Sequence, residues 1–303
     1  MTGEPMEITF KEERYVPYAV HTPIRVPEHW KEKVKADIDR DVILCIIEPV
    51  PGTTPTTWCA KMVVTAKKNG QPRRTVDLQH LKNATRRITQ FTPTPFEIVS
   101  VTPKNTYRTV LDAWNGYHSL ALAENSKDAT AFITELGRYR YCRAPMGFHA
   151  SGDAYTKRFD EITSGFERVA RCVDDSLLWD TSIEDSFWHT FEYLKHCSSH
   201  GIVFNEDKFI FAEETIEFAG FELTPEGYRP PARVLDAIQS FPVPKSITDV
   251  RLWFGLVNQV VYAFSQSNTM APFRELLSSN KRSGKDIYIG MKNLEGYLKS
   301  RRR

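Results

Sequence analysis

The sequence is poor in cysteine, has no long apolar run and carries almost no net charge. Its five cysteines include no CxxC pair, which argues against a disulfide scaffold and a structural zinc site. The longest apolar run, Val42 to Ile47, is far shorter than the roughly 20 residues that span a bilayer. The first ten residues have neither a basic start nor an apolar segment, so no secretory signal is expected. We therefore expect an intracellular, cytoplasmic protein with reduced thiols.

The chain does contain enough apolar material for a core. Of its 303 residues, 41% are hydrophobic, 12% are aromatic and 26% are charged. These proportions are typical of a folded globular chain and not of a disordered one. The length predicts one large domain or two modest ones.

The net charge of +2 hides two basic clusters. Residues 61–90 contain eight lysines and arginines against the single acid Asp77, and residues 281–303 contain eight against Asp286 and Glu295. Clustered positive charge is typical of a phosphate-binding surface. For either run alone a solvated face is the simpler interpretation, and the tail also resembles a weak nuclear-import signal.

Local patterns predict an α+β fold. Asn69-Gly70 marks a hairpin between strands at 61–66 and 73–77, because this pair tolerates the positive φ angles of a tight turn. A second hairpin is expected around Gly137, and a capping box begins a helix at Ser246. The remaining predicted elements are a strand at 107–112, strands on either side of Asp174-Asp175, and helices at 27–40, 151–165 (capped by Ser151) and 183–199.

The adjacent acids Asp174 and Asp175 lie in a predicted hairpin turn. Two carboxylates this close repel each other unless a cation lies between them. Two divalent ions about 4 Å apart, bridged by carboxylates, are typical of phosphoryl-transfer sites. Asp112, at the end of its own strand, can supply the third carboxylate. The Asp-Asp pair alone is weak evidence for a catalytic site, because surface turns often contain such a pair.

The surroundings of these acids resemble the reverse transcriptases of gypsy-type LTR retrotransposons and, more distantly, those of retroviruses. Asp112 is followed by Gly116-Tyr117, and x-Asp-Asp by a second strand. The similarity covers about residues 40–275, and its blocks occur in the family's order. The matching blocks are Lys67 to Leu78 (fingertip hairpin), Asp112 to Tyr117, Pro145 to Phe148, Cys172 to Asp175, Phe218 to Glu222 (primer grip), and Phe241 to Pro244 with Leu252 to Leu256 (thumb entry).

The resemblance implies a right-hand polymerase, with fingers and palm formed by an antiparallel sheet packed on helices, followed by a partial helical thumb. The corresponding divisions are an N-terminal extension and entry helix at 1–45, fingers and palm at 46–227, a thumb-like segment at 228–275 and a basic tail at 276–303. The implied activity is extension of a primer on an RNA or DNA template with dNTPs. RNase H and integrase domains would belong to a longer polyprotein.

The resemblance also assigns roles to single residues. Asp112, Asp174 and Asp175 would hold two Mg²⁺ ions, for which Mn²⁺ can substitute, and the carbonyl of Ala113 would help. Tyr117 would exclude a ribose 2′-hydroxyl by its bulk, although a core tyrosine is the simpler alternative. The other implied contacts are Lys67 or Lys68 with Arg73 for the triphosphate, Met146 and Phe148 for the nucleotide and template, Lys208 for the triphosphate, and Ala219, Gly220 and Phe221 for the primer.

Three features motivate a second hypothesis. Cys172 stands where an aromatic residue usually precedes x-Asp-Asp, the family's continuation of the thumb is missing, and no RNase H acid cluster follows the thumb. A further departure is Ala144, which replaces a bulky apolar residue. The alternative is a truncated or domesticated remnant that binds nucleic acid without catalysis. A third hypothesis, an enzyme that copies RNA with ribonucleotides, is disfavoured by Tyr117.

Overall fold

The computed structural model describes residues 1–11, 15–67, 69–114, 116–244 and 246–260. The chain forms two compact units. The first comprises Met1–Pro93, Thr109–Leu178 and Glu184–Ile210, and the second comprises Thr94–Arg108, Trp179–Ile183 and Phe211–Arg303. Lys68, the expected basic tail and residues 261–275 of the expected thumb lie outside the described residues.

A five-stranded sheet in the first unit contains both predicted hairpins. Its strands are β1 (Ile47–Pro49), β2 (Ala60–Ala66), β3 (Pro72–Val76), β5 (Phe132–Thr134) and β6 (Gly137–Tyr141), in the order β1-β6-β5-β2-β3. The β2–β5 pair is parallel and the other pairs are antiparallel. At the β2–β3 turn, Gly70 has φ +75° and the Lys67 amide donates to the Gln71 carbonyl at 2.7 Å. The Asn-Gly prediction is therefore confirmed.

Helix α1 (Lys31–Ile43) covers one face of this sheet. Val34 and Ile38 lie one turn apart, are buried, and pack in one cluster with Ile47, Met62 and Phe132. A single 3-10 turn, Glu28–Trp30, precedes the helix. The helix expected at 27–40 is confirmed, with its end three residues further on.

A four-stranded sheet contains the strands that carry the three candidate aspartates. Its strands are β4 (Tyr107–Asp112), β7 (Val169–Cys172), β8 (Asp175–Asp180) and β9 (Ile210–Glu213), in the order β7-β8-β4-β9. The apolar side chains Leu111 and Leu178 of these strands belong to the main core of the first unit. The strands predicted on either side of the acid pair are confirmed.

Helices α5 (His149–Thr163) and α6 (Ile183–Ser199) provide the other side of that core. Tyr155 and Phe159 of α5 and Tyr193 of α6 are fully buried in it. The prediction that Ser151 caps α5 is wrong. The helix begins two residues earlier, at His149 after the N-cap residue Phe148, so Ser151 lies inside the first turn and is buried.

The second unit contains a small three-stranded sheet. Its strands β10 (Ile216–Phe218), β11 (Phe221–Thr224) and β12 (Gly227–Arg229) follow one another as antiparallel neighbours. Phe218 pairs with Phe221, which leaves Ala219 and Gly220 as a two-residue turn with φ values of 48° and 87°. Positive φ at both positions is the conformation that matches the twist of a tight hairpin.

A buried arginine near the beginning of β4 is hydrogen-bonded to this sheet. Arg108 is only 1% exposed, and its guanidinium donates to the carbonyl oxygens of Pro103, Thr106, Glu214 and Thr224 at 2.6 to 3.1 Å. Burial lowers the pKa of this side chain. Four carbonyl acceptors offset much of the cost of burying the charge.

The remaining helices complete the two units. They are α2 (Gln79–Ala84), α3 (Pro95–Val101), α4 (Glu124–Lys127), α7 (Ala232–Gln239) and α8 (Ile247–Asn258). The predicted capping box is confirmed, because Ser246 and Asp249 cap each other's backbone amides at the start of α8. Within the described residues, no helix has both the length and the apolar composition that crossing a bilayer requires. Mixed sheets and helices confirm the α+β class.

Candidate active site

The fold brings the three predicted aspartates together in the first unit. Asp112 is the last residue of β4, and β8 is its neighbour in the sheet. The amide of Ala113, the next residue, donates to the carbonyl of Asp174 at 2.9 Å. Asp175 follows as the first residue of β8. The end of β4 and the tip of the β7–β8 hairpin are thus joined by a backbone hydrogen bond.

The hairpin that carries the acid pair has a strained turn. Cys172 pairs with Asp175, so Val173 and Asp174 form the two turn residues. Val173 has φ +58°, a conformation that glycine adopts freely and a β-branched residue rarely does. Strain of this kind persists where the surrounding structure enforces it, and it is concentrated at functional sites.

The carboxylates at the end of β4 and at the hairpin tip repel one another, which disfavours their ionised forms. Burial and the negative charge of Asp112 raise the pKa of Asp174. Burial, the charge of Asp112 and a hydrogen bond with it raise the pKa of Asp175 to about 6. Burial and the two neighbouring carboxylates also raise the pKa of the Cys172 thiol. A site with this electrostatic balance favours a cation.

Lys208 supplies a cation to the site. It ends a 3-10 turn, Glu206–Lys208, that begins after Asn205. The Asn205 amide donates to the Asp112 carbonyl at 2.8 Å, and Nζ of Lys208 lies 2.8 Å from Oδ2 of Asp112. Its charge offsets part of the rise in the pKa of Asp174 and of Asp175. The resemblance places this lysine at the triphosphate, whereas in the structure it contacts the Asp112 carboxylate.

The donor set fits a divalent metal of the magnesium type. Three carboxylates provide the oxygen ligands that Mg²⁺ prefers, and the Lys208 ammonium stands in for a cation beside Asp112. Within the described ranges, no three His, Cys, Asp or Glu side chains are gathered tightly enough to hold a metal as they stand.

Tyr117 lies in the 3-10 turn Gly116–Ser119 that follows Asp112. Its half-buried ring meets the ring of Tyr155 edge to face, with 5.5 Å between the ring centroids. Burial and the charge of Asp174 raise the pKa of the Tyr117 hydroxyl. Gly116 is buried, and a Cβ there would lie 2.6 Å from Oδ1 of Asp174. Only glycine avoids this overlap.

The predicted triphosphate residues lie on the fingertip hairpin of the first unit. Arg73 and Lys67 are exposed, and Lys68 lies outside the described residues. The neighbouring Arg74 has a structural role instead, since it donates to Oδ2 of Asp41 at 2.6 Å. The resemblance assigns Arg73, the exposed arginine of this pair, to the triphosphate of the nucleotide.

The other predicted contacts differ in their exposure. Phe148 is 3% exposed and packs in the core, whereas Met146 is 53% exposed. Of the predicted primer residues, Ala219 and Gly220 form the β10–β11 turn of the second unit, and Phe221 begins β11. Phe221 is buried and Gly220 is exposed.

Two residues have contacts that the sequence does not predict. The periodicity of α5 places Tyr155 on its apolar face, yet its hydroxyl is buried with Asp174 as a charged neighbour. Arg108, four residues before Asp112 on β4, is buried and hydrogen-bonded to backbone carbonyls of the second unit. An arginine in a strand that also carries Val110 and Leu111 is the available signal for Arg108.

A strand-borne aspartate beside a hairpin with paired aspartates, on a sheet packed against helices, is the arrangement typical of the palm of nucleotide polymerases. The family described as "Reverse transcriptase (RNA-dependent DNA polymerase)" matches residues 65–223. The match covers more than half of the chain, and the chain therefore belongs to the reverse transcriptase family. The resemblance inferred from the motifs is confirmed.

Curated relatives are retroelement and viral polyproteins. The chain is 26% identical over 212 residues to the retrovirus-related Pol polyprotein from transposon gypsy of Drosophila melanogaster, covering 69% of this chain and 20% of that polyprotein. It is 25% identical over 178 residues to the enzymatic polyprotein of Cauliflower mosaic virus (strain Strasbourg), covering 58% of this chain and 26% of the polyprotein. The chain thus spans about a quarter or less of these relatives.

Solved structures share the fold. The foamy viral protease-reverse transcriptase in complex with RNA/DNA hybrid superposes with a TM-score of 0.79 at 16% identity, covering 97% of this chain and 40% of that one. The same protein in complex with dsDNA gives a TM-score of 0.77 at 16% identity, covering 97% of this chain and 63% of that one. The expected polymerase fold is confirmed.

Proposed function

We propose that this chain is an RNA-directed DNA polymerase of a gypsy-type retroelement. The primer 3′-hydroxyl would attack the α-phosphate of a dNTP, forming a phosphodiester bond and releasing pyrophosphate. The observation that carries the proposal is the hydrogen bond that holds Asp174 against the end of β4, because it joins Asp112 to the acid pair. Family membership supplies the reaction class.

Asp112, Asp174 and Asp175 would hold two Mg²⁺ ions, with Mn²⁺ as a substitute. When bound, such ions activate the attacking hydroxyl and neutralise charge on the phosphates. The contribution of the chain is positioning, which accounts for much of the rate of phosphoryl transfer. Arg73 and Lys67 would hold the triphosphate, and the ring of Tyr117 would occupy the space that a 2′-hydroxyl requires.

The proposed partners are a primer–template and dNTPs. Foamy viral neighbours of the same fold were solved with an RNA/DNA hybrid and with dsDNA, which supports a duplex as the substrate here. The turn of Ala219 and Gly220 beside Phe221 would contact the primer backbone. Fingers and palm would occupy 46–227 and the thumb would begin at 228, in a cytoplasmic protein.

Primer extension tests the proposal. Oligo(dT) annealed to poly(rA) is incubated with labelled dTTP in Mg²⁺ and separately in Mn²⁺. We expect incorporation by the wild type and by Asp39→Asn, which changes an exposed acid of α1, but not by Asp174→Asn or Asp175→Asn. Equal incorporation by all four proteins would contradict the assignment of the acid pair.

A catalytically silent binding protein is the second candidate, favoured by one observation. Cys172 lies opposite Asp175 in the hairpin, where the family usually has an aromatic residue. This candidate predicts salt-sensitive primer–template binding without incorporation in either metal. If Cys172→Tyr restores incorporation, the residue at position 172 is the cause of the missing catalysis. Incorporation by the wild type would exclude this candidate.

A further inference from the structure

Two buried oxygen atoms without hydrogen-bond partners, one on the acid pair and one on helix α5, lie close to Gly116. They are Oδ1 of Asp174 and the hydroxyl oxygen of Tyr155. A Cβ on Gly116 would lie 2.6 Å from the first oxygen and 3.1 Å from the second. The two oxygens are therefore separated by no more than about two hydrogen-bond lengths, a gap that a small shift or one water molecule closes.

The chemistry of the two groups is complementary. A carboxylate oxygen accepts hydrogen bonds, and a phenol hydroxyl can donate one. The other charged neighbour of the Tyr155 hydroxyl is the guanidinium of Arg171, whose Nη1 is also buried without a partner. Because a guanidinium donates and never accepts, Asp174 is the one of these two charged neighbours that can accept a hydrogen bond from the Tyr155 hydroxyl.

Burying the Tyr155 hydroxyl costs stability, and the packing of the ring does not explain why the hydroxyl is present. Tyr155 is completely buried, and its ring packs edge to face against both Tyr117 and Phe159. A phenylalanine would make the same ring contacts without burying a polar atom. A buried hydroxyl without a partner destabilises a fold, so a position that retains one is a candidate for function.

We propose that Tyr155 is a positioning residue of the polymerase site, whose hydroxyl donates to Oδ1 of Asp174 and fixes the orientation of that carboxylate. The second oxygen of Asp174 would then be available to hold a divalent ion together with Asp112 and Asp175. The same ring supports Tyr117 from beneath, so one side chain sets both the metal ligand and the residue proposed to exclude ribonucleotides. This role rests on the proposed polymerase function.

Tyr155→Phe separates the hydroxyl from the ring. We expect Mn²⁺ affinity, measured by electron paramagnetic resonance on the protein without nucleic acid, to fall by about 10- to 100-fold, as for loss of one hydrogen bond to a charged group. The kcat for dTTP on poly(rA)/oligo(dT) should fall about ten-fold, with KM for dTTP within two-fold of wild type. The melting temperature should stay close to that of the wild type, because phenylalanine keeps the ring contacts with Tyr117 and Phe159.

Tyr193→Phe is the matched control. Tyr193 is equally buried, but its hydroxyl lies 3.0 Å from Oγ of Ser176. Its loss should lower the melting temperature while Mn²⁺ affinity and kcat stay within two-fold. If the role of Tyr155 is purely structural, Tyr155→Phe should behave like Tyr193→Phe, with a lower melting temperature and with Mn²⁺ affinity and kcat within two-fold of the wild type.

The outcomes separate this inference from the function on which it rests. Unchanged Mn²⁺ affinity in Tyr155→Phe overturns the positioning role even if the wild type extends primers. A wild type that extends no primer contradicts the proposed function, and the Mn²⁺ comparison still decides the role of Tyr155. A reduced Mn²⁺ affinity with an unchanged melting temperature supports it.

Discussion

Nζ of Lys208 lies 2.8 Å from Oδ2 of Asp112, the carboxylate on which the candidate metal site depends. The lysine side chain is 59% exposed and the aspartate side chain 19%. The pair therefore lies at the edge of the site and can open to solvent. The hydrogen bond to Asp112 and the charges of all three carboxylates raise the pKa of Lys208, so the ammonium persists through neutral pH.

Lys208→Met should increase the affinity of the site for a divalent ion. The ammonium competes with a metal for Asp112, and an exposed ion pair of this kind contributes about 0.2–1 kcal/mol. We therefore expect the Kd for Mn²⁺ to fall by up to about five-fold at pH 8. Lys195→Met, on the exposed face of α6, is the control. A weaker affinity in Lys208→Met would show that the lysine organises the carboxylates instead of competing for them.

The pKa of Asp175, raised to about 6 by burial and by Asp112, predicts how stability depends on pH. A carboxyl whose pKa is higher in the folded state contributes stability below its ordinary pKa and loses it as pH rises through the folded value. Without metal, the wild type should therefore lose about 1–2 kcal/mol relative to Asp175→Asn between pH 4 and 8, after allowance for solvent screening.

Denaturant unfolding of both proteins across that pH range, in the presence of a chelator, measures the difference. Saturating Mg²⁺ at pH 8 should stabilise the wild type more than Asp175→Asn, because the ion binds the charged form. A stability difference that does not change with pH would mean that Asp175 titrates at its ordinary value.

The motif spacing predicted the three aspartates and their strands because each block is local in sequence. Hairpin turns, a capping box and alternating apolar residues are read from a few neighbouring positions. The Lys208–Asp112 contact joins residues 96 positions apart and depends on the turn after Asn205, so no local pattern reveals it. Likewise, the periodicity of α5 identified Tyr155 as a core residue but could not show that its hydroxyl has no partner.

Gly116→Ala should disturb the site through direct overlap. Its Cβ would lie 2.6 Å from Oδ1 of Asp174 and 2.9 Å from Cζ of Tyr155. Overpacking of this kind costs about 1–3 kcal/mol, and displacement of Asp174 should weaken Mn²⁺ binding. At Gly165 an added Cβ meets nothing within 4 Å, so Gly165→Ala is the matched control. Unfolding and Mn²⁺ titrations that do not distinguish the two variants would contradict the packing described here.

The neighbouring arginines of β3 should separate binding from stability. Arg73 is exposed, so Arg73→Ala should raise the KM for dTTP about ten-fold, through loss of charge-assisted contacts to phosphate, at an unchanged melting temperature. Arg74 is half-buried against Asp41, so Arg74→Ala should lower stability by about 1 kcal/mol with little change in KM. The opposite pattern would assign the triphosphate to Arg74.

Tyr117→Ala tests whether this site selects deoxyribonucleotides. The ring is held edge to face by Tyr155, and an added Cβ on Gly152 would lie 3.8 Å from its hydroxyl, so its bulk is fixed in place. Removing the ring should reduce the preference for dTTP over UTP by about 10- to 100-fold in kcat/KM, while Tyr117→Phe keeps it. If Tyr117→Ala discriminates as well as the wild type, the ring is a core residue only, and the choice of DNA over RNA as product must depend on another part of the chain.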